Sequence, residues 1–110
     1  MNIVIFNCNR IKDWHSFHEY SKVVFGFPDF YGANMNAWID CMTYIDDADD
    51  EMIKIKITPG SVLTIQLINV ADFKNNFSEI YDALIDAISF VNYRRIELGE
   101  EPVLALAFER

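Results

Sequence analysis

The sequence predicts an α/β fold, a single domain over residues 1–110 in which a three-stranded, mostly parallel sheet is packed with three to four helices. Three observations carry this. Asn2 to Phe6 (NIVIF), Val62 to Val70 (VLTIQLINV) and Val103 to Phe108 (VLALAF) are short apolar runs with strand composition. The stretches between them are helical in pattern and too long for hairpins, so neighbouring strands should run parallel through right-handed crossovers. Finally, 110 residues with 52% hydrophobic content suffice for one core and not for two.

Taken in order, Asn2 to Phe6 is expected as a short, buried, central strand. Asp13 can cap a helix over 14–25, where Trp14, Phe17, Tyr20, Val24 and Phe25 recur at helical spacing and Gly26 and Pro28 mark the end. Asn34 is a good cap for a second helix whose buried stripe is Met35, Trp38, Ile39, Met42 and Ile45. At 100° per residue, Asn36, Asp40, Thr43 and Asp47 gather within about 60° just outside that stripe, as one acidic and amide ridge.

Asp46 to Glu51 (DDADDE) lacks the glycine and spacing of a calcium loop and reads as a solvated connection. Met52 to Ile57 (MIKIKI) alternates apolar residues with lysine, as an exposed edge strand or half of a small hairpin would, and Pro59-Gly60 supplies a turn. Val62 to Val70 is the strongest strand signal. Asp72 and then Ser78 open helical patterns that continue to about Leu98 before Gly99. On the long helix Phe77, Ile80, Tyr81, Leu84, Ile88 and Val91 form the apolar side, with Asp82, Asp86, Ser89 and Tyr93 opposite. Val103 to Phe108 is expected as the third buried strand.

Seventeen acidic residues against nine basic ones give a formal charge of −8, which nucleic-acid phosphates and anionic membranes repel and a basic protein attracts. No apolar run approaches the ~20 residues that span a bilayer, and no leader pattern opens the chain, so a cytoplasmic location is expected. Cys8 and Cys41, 33 positions apart, form no CxxC motif and read as buried free thiols.

Catalytic patterns are missing. His15 and His18 sit three apart on one helix without a nearby cysteine or an HExxH context, and they read as residues of the helix surface or boundary. There is no GxSxG elbow and no GxGxxG or GxxxxGKS phosphate loop. Neither a metal nor a cofactor is expected. An enzyme working through Asp82, Asp86 or the histidines stands as a minor alternative, since carboxylates on an amphipathic helix are usually its solvated face.

The segment Phe27 to Met42, FPDFYGANMNAWIDCM, resembles the signature of the barstar family: a proline, an acidic residue, two aromatics, glycine, asparagine and then a helix ending in Asp-Cys. Ile11 to His15 (IKDWH) is similar to the start of that family's first helix. The resemblance implies a barstar-like fold and an intracellular inhibitor or immunity protein, not an enzyme, whose second helix and preceding loop plug the active site of a basic ribonuclease or nuclease toxin. It also implies a monomer in a one-to-one complex. By position, Phe30, Tyr31, Asn34, Met35, Asn36, Ile39, Asp40, Thr43 and Asp47 are the expected partner-binding residues, with Asp86 as an acidic counterpart on the long helix. The chemistry is reasonable, because a carboxylate fixed on a rigid helix offers a nuclease's cationic pocket a charge comparable to phosphate with no bond to cleave. Asp40 is the best candidate for that carboxylate.

Two positions depart from the founding pattern. Asn36 stands where such members carry an acidic residue, and Ile39 replaces an aromatic. Both point to a nuclease with another charge layout. The same fold serving a non-nuclease protein partner is the alternative within the binding class.

Overall fold

The computed structural model describes residues 2–110. Its elements are β1 (Ile3–Asn7), a single 3-10 turn (Cys8–Arg10), α1 (Trp14–Phe25), α2 (Met35–Thr43), β2 (Leu63–Ile68), α3 (Val70–Asn76), α4 (Ser78–Glu97) and β3 (Leu104–Phe108). The sheet has the order β1-β2-β3, and both pairings are parallel, with Ile5 opposite Gln66 and Gln66 opposite Ala107. The fold is therefore α/β with an all-parallel sheet and four helices.

The sheet departs from expectation in one respect: β2, not β1, is central. Two successive right-handed crossovers that advance in the same direction put all their helices on one side of the sheet. That side is buried through Phe6, Ile65, Leu67 and Leu104, whereas Ile3 and Ile5, expected to be buried, are 49% and 55% exposed on the other. β3 likewise is buried only at its start, and Phe108 is exposed.

The helix ends follow from their capping chemistry. Asp13 accepts from the Ser16 backbone N–H at 2.7 Å while the Ser16 hydroxyl accepts from the Asp13 N–H, a reciprocal capping box that starts α1. Gly26 ends it in the left-handed conformation, φ 72°, which a side chain there resists. The Asn34 side chain accepts from the Ala37 N–H at 2.8 Å and starts α2.

Met52 to Ile57 is neither strand nor hairpin. Its backbone amides are satisfied elsewhere: Lys54 and Ile55 donate to the carbonyls of Gly26 and Phe25 at the end of α1, and Ile57 donates to Ile45. Ile53 and Ile57 are buried, so the segment straps the ends of α1 and α2 onto the core. An alternating pattern records which side chains are buried, not which backbone partners they find. α3 begins at Val70, two residues before Asp72, after Asn69 in the left-handed region at φ 57°.

Candidate functional site

α2 stands on a floor of Trp38, Cys41 and Met42, all essentially inaccessible. The Trp38 indole N–H donates to the Ser21 hydroxyl of α1 at 3.3 Å, and Phe25 meets the indole edge-on, so the helix cannot roll. The side facing away presents Asn36 and Asp40 to solvent, with Met35 and Ile39 half-buried along its border.

The loop entering α2 alternates between anchoring and exposure. Phe27 is buried and stacked with Phe25, and Tyr31 packs on Phe27 with ring centroids 4.7 Å apart. A turn closed by the Tyr31 N–H on the Pro28 carbonyl then throws Phe30 outward, where it is 76% exposed. Ala33 holds a left-handed φ of 51° between Gly32 and the Asn34 cap, a conformation costly for alanine.

Tyr31, expected to face a partner, is half-buried and shares a 2.7 Å hydrogen bond with His18 Nδ1. Burial raises its phenol above the ordinary value. His18 in turn is buried rather than on the helix surface, stacked on Trp14 and against the edge of Phe17. Burial lowers its pKa, because an imidazolium there loses its hydration. The rings of Phe27, Tyr31, His18 and Trp14, backed by Phe25 and Phe17, thus fix the entrance to α2.

Thr43 also lies elsewhere than the helical spacing predicts. It is 5% exposed, its hydroxyl donates to the Ile39 carbonyl at 2.6 Å, and Arg94 and Arg95 of α4 reach its hydroxyl and carbonyl. The ridge is broken there, since α2 ends at Thr43 and Asp47 belongs to the following turn, where it is exposed. Asp86 is exposed on α4.

Two arginines of α4 complete the site. Arg94 Nη1 donates to Asp40 Oδ1 at 2.8 Å, and the same nitrogen is 3.4 Å from the Thr43 hydroxyl. Arg95 is buried and makes a forked pair with the Asp46 carboxylate while donating to the last α2 carbonyl, that of Thr43, at 3.2 Å. Its hydrogen bond to Asp46 strengthens its hold on the proton. Neither arginine was singled out by the sequence. A signal existed, because Arg95 continues the buried spacing of Leu84, Ile88 and Val91 at the point where an aliphatic residue would be expected.

Beside this pair opens a cleft of about 860 Å³ bordered by Asp40, Asp47, Asp50, Arg94, Glu97 and Leu98 among others. It contains neither Asp82, Asp86 nor a histidine. Across the ridge a shallower depression lies among Trp14, His18, Asn34 and Met35. Among the described residues no group of three or more His, Cys, Asp or Glu side chains is arranged to hold a metal ion, and no helix is long and apolar enough to cross a membrane. The geometry, a rigid helix presenting the Asp40 carboxylate beside a loop presenting Phe30, suits contact with another macromolecule.

Residues 1–104 match the family model described as Barstar (barnase inhibitor). No curated protein matches the chain.

Proposed function

The chain belongs to the barstar family, and from that premise we propose that α2 and the loop before it are the face with which it blocks a ribonuclease. Its function is the family's, inhibition of a barnase-type ribonuclease, and members of that family are inhibitors rather than enzymes. The proposed contact face consists of Phe30, Asn34, Met35, Asn36, Ile39 and Asp40, flanked by Asp47 and Asp86. Tyr31 and Thr43 support it from beneath, through His18 and through the α2 backbone respectively.

The observation that carries this reading is the position of Asp40, a carboxylate half-exposed on a helix whose start is capped and whose floor is fully packed. A ribonuclease collects cations around the phosphate it cleaves. A preorganised carboxylate meets them without paying to order itself. Phe30 supplies the apolar anchor that charge alone lacks. The formal charge of −8 adds long-range attraction to a basic enzyme. We infer a monomeric inhibitor in a one-to-one complex with a barnase-type ribonuclease, barnase itself included, with Asn36 and Ile39 beside Asp40 in the contact.

Binding of Asp40→Ala to purified barnase tests the assignment. Loss of the carboxylate should weaken the complex by about 2 kcal/mol or more, roughly thirtyfold, mainly through faster dissociation. Phe30→Ala should also weaken it, with little change in salt dependence. Unchanged affinity for Asp40→Ala would show that another surface makes the contact.

A further inference from the structure

We infer that Arg94 is a specificity-determining residue of this inhibitor, an internal counter-ion that occupies Asp40 in the free protein and that a partner's cation must displace. The inference rests on the reading that Asp40 faces the ribonuclease. Arg94 is fixed for reasons beyond the ion pair. Its guanidinium lies over the Phe90 ring, 5.8 Å from the centroid, and α4 is packed along α2. The 2.8 Å contact with Asp40 is therefore built in, although the two residues are 54 positions apart.

The strength of the pair decides what it does. The side chains are 37% and 51% exposed, and an ion pair at such exposure shifts an equilibrium no more than about fivefold. That is enough to compete with a loosely placed surface lysine, which gains no more from the same carboxylate. It is too little to hold off an arginine or lysine preorganised in a nuclease pocket, where water is excluded and the same contact is stronger. Arg94 thus screens out diffuse basic surfaces and yields to a well-formed site.

The displaced guanidinium has a destination. Asp47, Asp50 and Glu97 border the same cleft, and Glu97 follows Arg94 by three residues, on the same face of α4. Moving from Asp40 toward these carboxylates leaves no charge stranded, so the exchange costs little. Arg94 and the neutral Asn36 also explain why an inhibitor of such acidity presents a ridge with little net charge of its own: its one helical carboxylate is matched until a partner arrives.

Affinity for barnase, measured by calorimetry or surface binding at two salt concentrations, tests this with wild type, Arg94→Gln, Asp40→Ala, the double variant and Lys74→Ala. Lys74, on α3, is the control for losing one positive charge without touching Asp40. Arg94→Gln should bind about fivefold more tightly than wild type, the scale of one exposed ion pair, and more tightly than Lys74→Ala. In the Asp40→Ala background Arg94→Gln should gain no more than Lys74→Ala does. Equal gains for Arg94→Gln and Lys74→Ala in the wild-type background would overturn the inference, as would weaker binding by Arg94→Gln, which makes Arg94 a partner contact. If Asp40→Ala binds as wild type does, the α2 reading fails instead. Absence of binding by every variant and by wild type overturns both.

Discussion

The Arg95 guanidinium forks the Asp46 carboxylate, with Nη1 to Oδ1 at 2.8 Å, in a site where the two side chains are only 6% and 14% exposed. This pair binds the end of α2 to the last turns of α4, and the same arginine caps α2 through the Thr43 carbonyl. Asp46→Ala would leave the buried guanidinium only the more distant, half-exposed carboxylate of Glu100, 3.8 Å away. We expect a loss of about 3 kcal/mol in urea-induced unfolding, well above the cost of breaking a surface pair. Replacing both residues with apolar ones of similar volume should cost less than the single change. A loss within 0.5 kcal/mol of zero, roughly the value for an exposed pair, would show that water reaches the site.

Asn92 latches α4 to β3. Its Oδ1 accepts from the Val103 and Leu104 N–H groups, both at 3.0 Å, and its Nδ2 donates to the Leu104 carbonyl at 2.9 Å. Asn92→Ala removes all three bonds and strands backbone groups at the start of the strand, for an expected loss of about 2–3 kcal/mol. Asn92→Asp keeps the acceptor but sets an ionised carboxylate oxygen against the Leu104 carbonyl in place of the donor, so its thermal midpoint should lie below wild type at neutral pH and recover on acidification, when the protonated acid can donate again. A midpoint gap between Asn92→Asp and wild type that does not narrow on acidification would show that the donor to Leu104 is not what the variant loses.

Stability should depend on pH through His18. Its folded pKa lies below the ordinary 6.5 because burial disfavours the imidazolium, so between the two values the unfolded chain binds the proton more readily. The histidine's contribution is therefore complete above about pH 6.5 and is lost as pH falls below it through the folded value. Urea midpoints of wild type and His18→Gln, compared from pH 8 to pH 5, should separate at high pH and draw together on acidification. A constant difference would mean that His18 titrates alike in both states.

Both thiols should be inert in the native protein. Burial pushes Cys8 to about 12 and Cys41 to about 11, so thiolate is scarce at neutral pH, and both side chains are covered as well. Labelling with a thiol reagent at pH 8 should be slow without denaturant and rapid at both positions once the chain unfolds. Fast labelling of either cysteine under native conditions would reveal a local opening of α2 or of the 3-10 turn.

Local chemistry made much of the fold legible. α1 was predicted at 14–25 and is found there, because Asp13, Gly26 and an apolar face state its start, end and orientation within one stretch of chain. α2 starts where Asn34 predicts, and the three apolar runs became three parallel strands. Alternation over residues 52–57 describes burial alone and does not distinguish a strand from the strap found there, and strand order is not legible where β1 and β2 have similar composition.

The candidate site divides the same way. The capped helix with outward Asn36 and Asp40 follows from helical spacing, and the FPDFYGANMNAWIDCM segment carries the family resemblance. Tertiary structure alone decided that Tyr31 and Thr43 turn inward, that His18 is enclosed, and that Arg94 and Arg95 meet Asp40 and Asp46. Helical periodicity and capping act within a few residues, so a single sequence records them directly. The contact between Arg94 and Asp40 exists only because the packing of α4 on α2 brings together two charges that are distant along the chain.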